Sequence, residues 1–138
     1  MDSLQRPSDI PSDGIPLLQE SPLDLAITKI DTVVDGHRKV SIIMLDGQAA
    51  IGTVSLALEP DEDAVLSRLF VDEKYRGRGI GKGLVLKACE IAKREKFRAA
   101  VLHVQRTNKA AKALYESMGF RRLVTDGDKQ WMLLELFE

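Results

Sequence analysis

Cysteine is nearly missing from this chain: Cys89 is the single one, so no internal disulfide can form. It sits among Ala88, Ile91 and Ala92 on an expected helix, which makes it a packing residue rather than a reactive thiol. Histidine is scarce as well. His37 and His103 lie far from each other and from Cys89, no metal-ligand spacing exists, and no metal is expected. No stretch approaches the ~20 apolar residues of a membrane span, and the acidic, proline-rich start from Asp2 lacks the pattern of a signal peptide. A cytoplasmic location with no membrane partner is the expectation. Neither sign of charge is in excess: 20 Lys and Arg against 21 Asp and Glu leave −1, which gives no global reason to bind nucleic acid.

What the chain does hold suffices for one core. At 138 residues, with 44% apolar and 30% charged content, it reads as one ordinary globular domain. Pro7, Pro11, Pro16 and Pro22 fall among Asp and Ser with no sustained periodicity, so residues 1–22 are read as an irregular arm and 23–138 as the domain.

Residues 23–34 are dense in β-branched side chains and run into Asp35-Gly36, a hairpin signal, so a strand is favoured there. The alternative is a helix capped by Ser21, with Pro22 in its first position and Leu23, Ala26, Ile30 and Val33 on one face. Residues 40–45 and 49–58 are strands flanking Asp46-Gly47, and Val54, Leu56 and Leu58 alternate as a half-buried strand requires. The strand over 65–71 switches phase at Leu69-Phe70, which predicts a β-bulge. Residues 80–97 form an amphipathic helix with Ile80, Leu84, Ala88, Ile91 and Ala92 inward. A buried strand over 99–105 follows, so the 65–71 and 99–105 strands should be parallel neighbours. Asn108 caps a second helix whose Ala111, Leu114, Tyr115 and Met118 share a face, and Gly119 ends it in the left-handed region. Residues 121–125 and 129–137 close the chain as a hairpin around Asp126-Gly127.

The most informative stretch is Lys74-Tyr75-Arg76-Gly77-Arg78-Gly79-Ile80-Gly81-Lys82, between a strand and a helix. Glycines let the backbone come close to a ligand, and the uncapped N–H groups of a helix start attract an anion, here a pyrophosphate. Two nucleotide loops are excluded by spacing. A G-x-G-x-x-G from Gly77 meets Lys82 where it needs glycine, and a P-loop ending at Gly81-Lys82 meets Arg76 and Gly83 where it needs glycine and a hydroxyl residue.

The pattern Arg76-x-x-Gly79-x-Gly81 resembles the acetyl-CoA pyrophosphate loop of the GCN5-related N-acetyltransferase (GNAT) family. Further on, Asn108, Ala111, Tyr115, Gly119 and Phe120 resemble the same family's N-x-x-A-x-x-x-Y-x-x-x-G-F helix. The clear resemblance covers residues 65–120 and a looser one runs from about residue 40 to the C-terminus. It implies an α/β fold: a mixed, mostly antiparallel sheet with a central parallel β-α-β unit and helices on both faces, the first helices here short or absent.

The resemblance also implies roles. Backbone groups of Leu69 and Val71 would bind the pantetheine of acetyl-CoA, and an amide near Phe70 would polarise the thioester oxygen. Arg76, Gly77, Arg78, Gly79, Ile80, Gly81 and Lys82 would cradle the pyrophosphate. A tight glycine turn would by itself account for Gly77 and Gly83, though not for the whole spacing. Asn108 would hydrogen-bond the cofactor besides capping its helix, and Tyr115, with an ordinary pKa of ~10, would return a proton to the departing thiolate. In the branch acting on protein N-termini, the position of His103 carries a glutamate base. Histidine keeps that function available because its pKa of ~6.5 suits proton abstraction at neutral pH. The competing readings are a hydrogen-bonded strand histidine of structural purpose, and a water relay from Glu59 or a later carboxylate. No covalent intermediate is expected, since Cys89 is on the packing face and no Ser-His-Asp order is evident. The reaction implied is direct transfer of acetyl to a primary amine on a small molecule or, slightly favoured, a peptide or protein, because short helices would leave an open site that a homodimer partner could wall. The alternative is a non-catalytic acyl-CoA-binding or interaction module on the same fold.

Overall fold

The computed structural model describes residues 22–137, so the expected N-terminal arm lies outside the described residues except for Pro22. Strands β1 (Leu25–Val34), β2 (His37–Asp46), β3 (Ala49–Ala57) and β4 (Ala64–Val71) form an antiparallel meander. The strand reading of the first segment is therefore the correct one. Its turn uses Asp35 at φ 53° and Gly36 at φ 79°, the two left-handed residues that a two-residue hairpin of matching twist requires.

A short 3₁₀ turn (Glu73–Tyr75) leads to helix α1 (Ile80–Arg94), strand β5 (Ala99–Gln105), helix α2 (Lys109–Ser117), and the terminal hairpin β6 (Arg121–Asp126) and β7 (Lys129–Glu135). The seven strands lie in the order β1-β2-β3-β4-β5-β7-β6. β4 and β5 are parallel, as the β-α-β argument predicts.

Seven side chains of α1, among them Ile80, Leu84, Val85, Ala88 and Ile91, are buried. They pack in one cluster with Val40, Ile42, Val54, Leu56, Leu66, Leu102 and Met132 of the sheet. Full burial of Leu84 alone is worth on the order of 2 kcal/mol. α2 adds Tyr115 to the same cluster, with Ala111 and Met118 packed against it, whereas Leu114 stays 37% exposed and departs from the expected face. On the opposite face Ser41, Thr53, Ser55, Val65, Val101 and Leu133 are half-buried and none is fully covered. The mixed seven-stranded sheet, its parallel β4-β5 pair and the two helices fit the expected α/β fold.

Two boundaries differ from the sequence reading. α1 ends at Arg94, before the expected 97, because Lys96 turns to φ 72° and the amides of Lys96 and Phe97 bond back to Lys93 and Ala92. This is the usual glycine-terminated stop, made here with a lysine. A left-handed conformation costs a residue with a Cβ about 1 to 2 kcal/mol, so Lys96→Gly should stabilise the fold by about 0.5 to 1 kcal/mol. The check is a higher urea midpoint at unchanged m-value.

The second difference is the bulge. Phe70 pairs with Thr53 and Ser67 pairs with Ser55, which leaves Arg68 and Leu69 opposite Val54 alone. The inserted residue is thus Arg68, at φ 56°, and the phase change at Leu69-Phe70 is where the alternation resumes. A bulge bends its strand. β4 and β5 accordingly pair only at Ala64↔Ala100 and Val65↔Val101 and then part.

Candidate active site

The gap opened by that parting is a cleft of about 50 Å³. Val54, Leu66, Leu69, Val85 and Leu102 supply apolar lining, and Ser67, Arg68, His103 and Tyr115 supply the polar groups. Larger surface hollows exist, one of about 620 Å³ beside Asp61, Glu95 and Arg98, but no residue predicted for the site lines it.

Tyr115 reaches the cleft from α2. Its ring is 6% exposed and meets Phe120 edge to face at 5.7 Å. Burial raises the pKa of its hydroxyl above the ordinary tyrosine value, and the hydroxyl makes no hydrogen bond to a described residue. A buried donor without a partner is uncommon in a packed core. His103 comes from β5 with its side chain exposed, opposite in sense to buried Leu102. It pairs in register with Trp131 of β7, whose ring stands edge-on at 4.8 Å and steadies the imidazole. Glu59 is not part of this lining and bonds His37 Nδ1 at 2.9 Å.

The glycine turn sits where β4 ends. Gly79 caps α1 at φ 82° with no side-chain cap bond, and Gly77 is at φ 78°. No atom lies within 4 Å of where a Cβ would stand at Gly77 or Gly79. The start of this fifteen-residue helix thus has no side-chain cap, and the positive end of the helix dipole lies there. Ile80 is buried and anchors the helix start, whereas Lys82 is exposed.

Arg76 Nε donates to the Val71 carbonyl at 3.0 Å, pinning the turn to the end of β4. The Arg78 guanidinium lies 5.7 Å from the centre of the Tyr75 ring. Tyr75 Oη in turn donates to Asp46 Oδ2 at 2.8 Å, and Asp46 also accepts from the Asp24 amide at 2.9 Å. Those two bonds, the amide first, hold the Asp46 carboxyl below its ordinary pKa. They tie the glycine turn to the β2-β3 hairpin.

Phe70 is 56% exposed, with Leu69 and Val71 half-buried beside it. Asn108 caps α2, its side-chain oxygen accepting from the Ala111 amide at 3.0 Å. The side-chain nitrogen of Asn108 makes no bond to a described residue. Cys89 is buried on α1 and its thiol is pushed up to about 11, which suits an inert packing residue. Among the described residues no three His, Cys, Asp or Glu side chains are grouped so as to hold a metal ion, and no helix is long and apolar enough to cross a membrane.

The structure therefore brings together Leu69, His103 and Tyr115 in one cleft, with the 76–82 turn at the end of the same strand. Sequence reasoning missed Arg68, Trp131 and the Tyr75–Asp46 tie. Only the phase change in β4 hinted at any of them.

Residues 7–120 match the family model of the Acetyltransferase (GNAT) family. The chain belongs to that family. The match begins inside the segment read as an arm, so the GNAT resemblance extends further toward the N-terminus than the motifs alone indicate. The chain is similar to human N-acetylaspartate synthetase, 38% identical over 82 residues, which are 59% of this chain and 27% of that protein. An uncharacterized N-acetyltransferase of Methanocaldococcus jannaschii is 43% identical over 63 residues, 46% of this chain and 28% of the relative. Among solved structures, the PaiA N-acetyltransferase of Thermoplasma acidophilum in complex with coenzyme A superposes with a TM-score of 0.66 at 28% identity, covering 70% of this chain and 60% of that one. The chain thus spans under a third of the length of the two curated relatives.

Proposed function

We propose that this GNAT chain is an N-acetyltransferase that moves an acetyl group from acetyl-CoA to a primary amine by direct attack. The observation that carries this reading is the presence of both His103 and Tyr115, whose buried hydroxyl bonds no described residue, in the lining of the cleft where β4 leaves β5. The glycine turn, with no side-chain cap at the start of α1, and the Asn108 side-chain nitrogen, which bonds no described residue, fit the cofactor. In this assignment the amides of 76–82 hold the pyrophosphate, Leu69, Phe70 and Val71 offer backbone groups to the pantetheine, and Asn108 adds a side-chain donor. Acetyl-CoA supplies the activated acyl group. His103 takes the proton from the amine, and Tyr115 gives its Oη proton as the acyl group leaves its carrier.

For the acceptor, the name of N-acetylaspartate synthetase favours a small amine. The half-covered sheet face beside His103 favours a peptide amine. A panel of both kinds in a thiol-release assay separates the two readings.

His103→Ala should lower kcat by about 10- to 100-fold with the KM for acetyl-CoA kept within about 3-fold. A mutant with wild-type kcat would exclude His103 as the base. Tight coenzyme A binding with no turnover on any amine would favour an acyl-CoA-binding module instead.

A further inference from the structure

Arg68 occupies the bulge position for which glycine is best suited, at φ 56°. An arginine held there is strained, and strain of this kind collects at functional sites. No hydrogen bond or ion pair from its guanidinium to a described residue offsets that strain. Arg38, Arg94 and Arg122, by contrast, each pair with a carboxylate. Arg68 lines the same cleft as His103 and Tyr115, and no aspartate or glutamate is among the lining residues. A permanent positive charge therefore stands in the lining of that cleft with no counter-ion among the described residues.

A guanidinium recognises a carboxylate through two parallel hydrogen bonds. It also repels an ammonium, so an acceptor with only cationic groups is disfavoured. An acceptor whose amine and carboxylate are a few bonds apart satisfies both demands, since the carboxylate offsets the charge while the nearby cation favours the neutral, nucleophilic amine.

We propose that Arg68 is the specificity-determining residue of the acceptor site, and that the acceptor is a free amino acid or a similar small amine bearing a carboxylate. This rests on the reading of the cleft as an acetyl-transfer site.

The test compares L-aspartate and L-alanine with L-alaninamide, putrescine and a tetrapeptide as acceptors, for the wild type, Arg68→Gly and Arg68→Lys. In the wild type, kcat/KM for the free amino acids should exceed that for the amide by about 100-fold, as expected for a charged hydrogen-bonded pair. Arg68→Gly should bring that ratio below about 5 by raising KM for the amino acids, with Arg68→Lys in between. Arg68→Gly should also melt at the same or a higher temperature than the wild type, since glycine relieves the left-handed strain, so lost discrimination cannot be ascribed to unfolding. Preference for putrescine, the amide or the peptide in the wild type overturns the proposal and leaves the acetyltransferase reading standing. A raised KM for acetyl-CoA in Arg68→Gly with the acid-to-amide ratio kept assigns Arg68 to the cofactor and overturns it as well. Absence of thiol release with every acceptor overturns both.

Discussion

Tyr115→Phe should lower kcat by about 100-fold while changing the Kd for coenzyme A by less than about 3-fold. The substitution keeps the ring that packs edge to face on Phe120 and removes only the hydroxyl. Because that hydroxyl is buried and bonds no described residue, its loss should leave the melting temperature unchanged or slightly higher. Burial raises its pKa, so the acid stays protonated across neutral pH and the basic limb of kcat should lie above ~10. The buried neutral form contributes its stability fully below ~10, and that contribution is lost as pH rises through the elevated folded value. A mutant with wild-type turnover would remove Tyr115 from the acid role. A collapse in coenzyme A affinity would assign it to binding instead.

Gly52→Val should destabilise the fold by about 2 to 3 kcal/mol and raise the KM for acetyl-CoA. A Cβ at this position would lie 3.0 Å from Leu84 Cδ1, 3.1 Å from the Phe70 carbonyl oxygen and 3.4 Å from Ile80 Cγ2. Leu84 can shift, but the carbonyl belongs to the paired backbone of β4 and cannot yield cheaply. Whatever gives way moves either Phe70 or the start of α1, the two elements assigned to the cofactor. Urea unfolding and a KM series test both halves. Stability within about 0.5 kcal/mol of wild type together with an unchanged KM would mean that β3 and α1 do not approach as closely as described.

Some features were legible from the sequence because they are decided within a few residues. Asp35-Gly36 and Asp46-Gly47 stand at hairpin turns, and Gly119 ends α2 at φ 102°. The inward face of α1 was readable from its spacing, with Ile80, Leu84, Ala88, Ile91 and Ala92 all buried. The end of α1 was not, since Lys96 takes the left-handed turn without the glycine that would have announced it. Alternation in β4 revealed that a residue had been inserted but not which one, so the bulge was assigned one residue late and Arg68 was overlooked.

The sequence by itself determined the strand, glycine turn and helix start around residues 65–94, the Asn108-capped second helix, and with them membership of the GNAT family. Those features depend on backbone freedom, unpaired amides and helical spacing, all of short range along the chain. Only the tertiary structure decided that His103 would stand against Trp131, that Arg68 would share a cleft with Tyr115, and that Gly52 would lie beneath Ile80 and Leu84. Each of these contacts joins residues far apart in sequence. They arise because β5 is inserted between β4 and β7, and because the bend in β4 breaks the parallel pairing after Val65↔Val101.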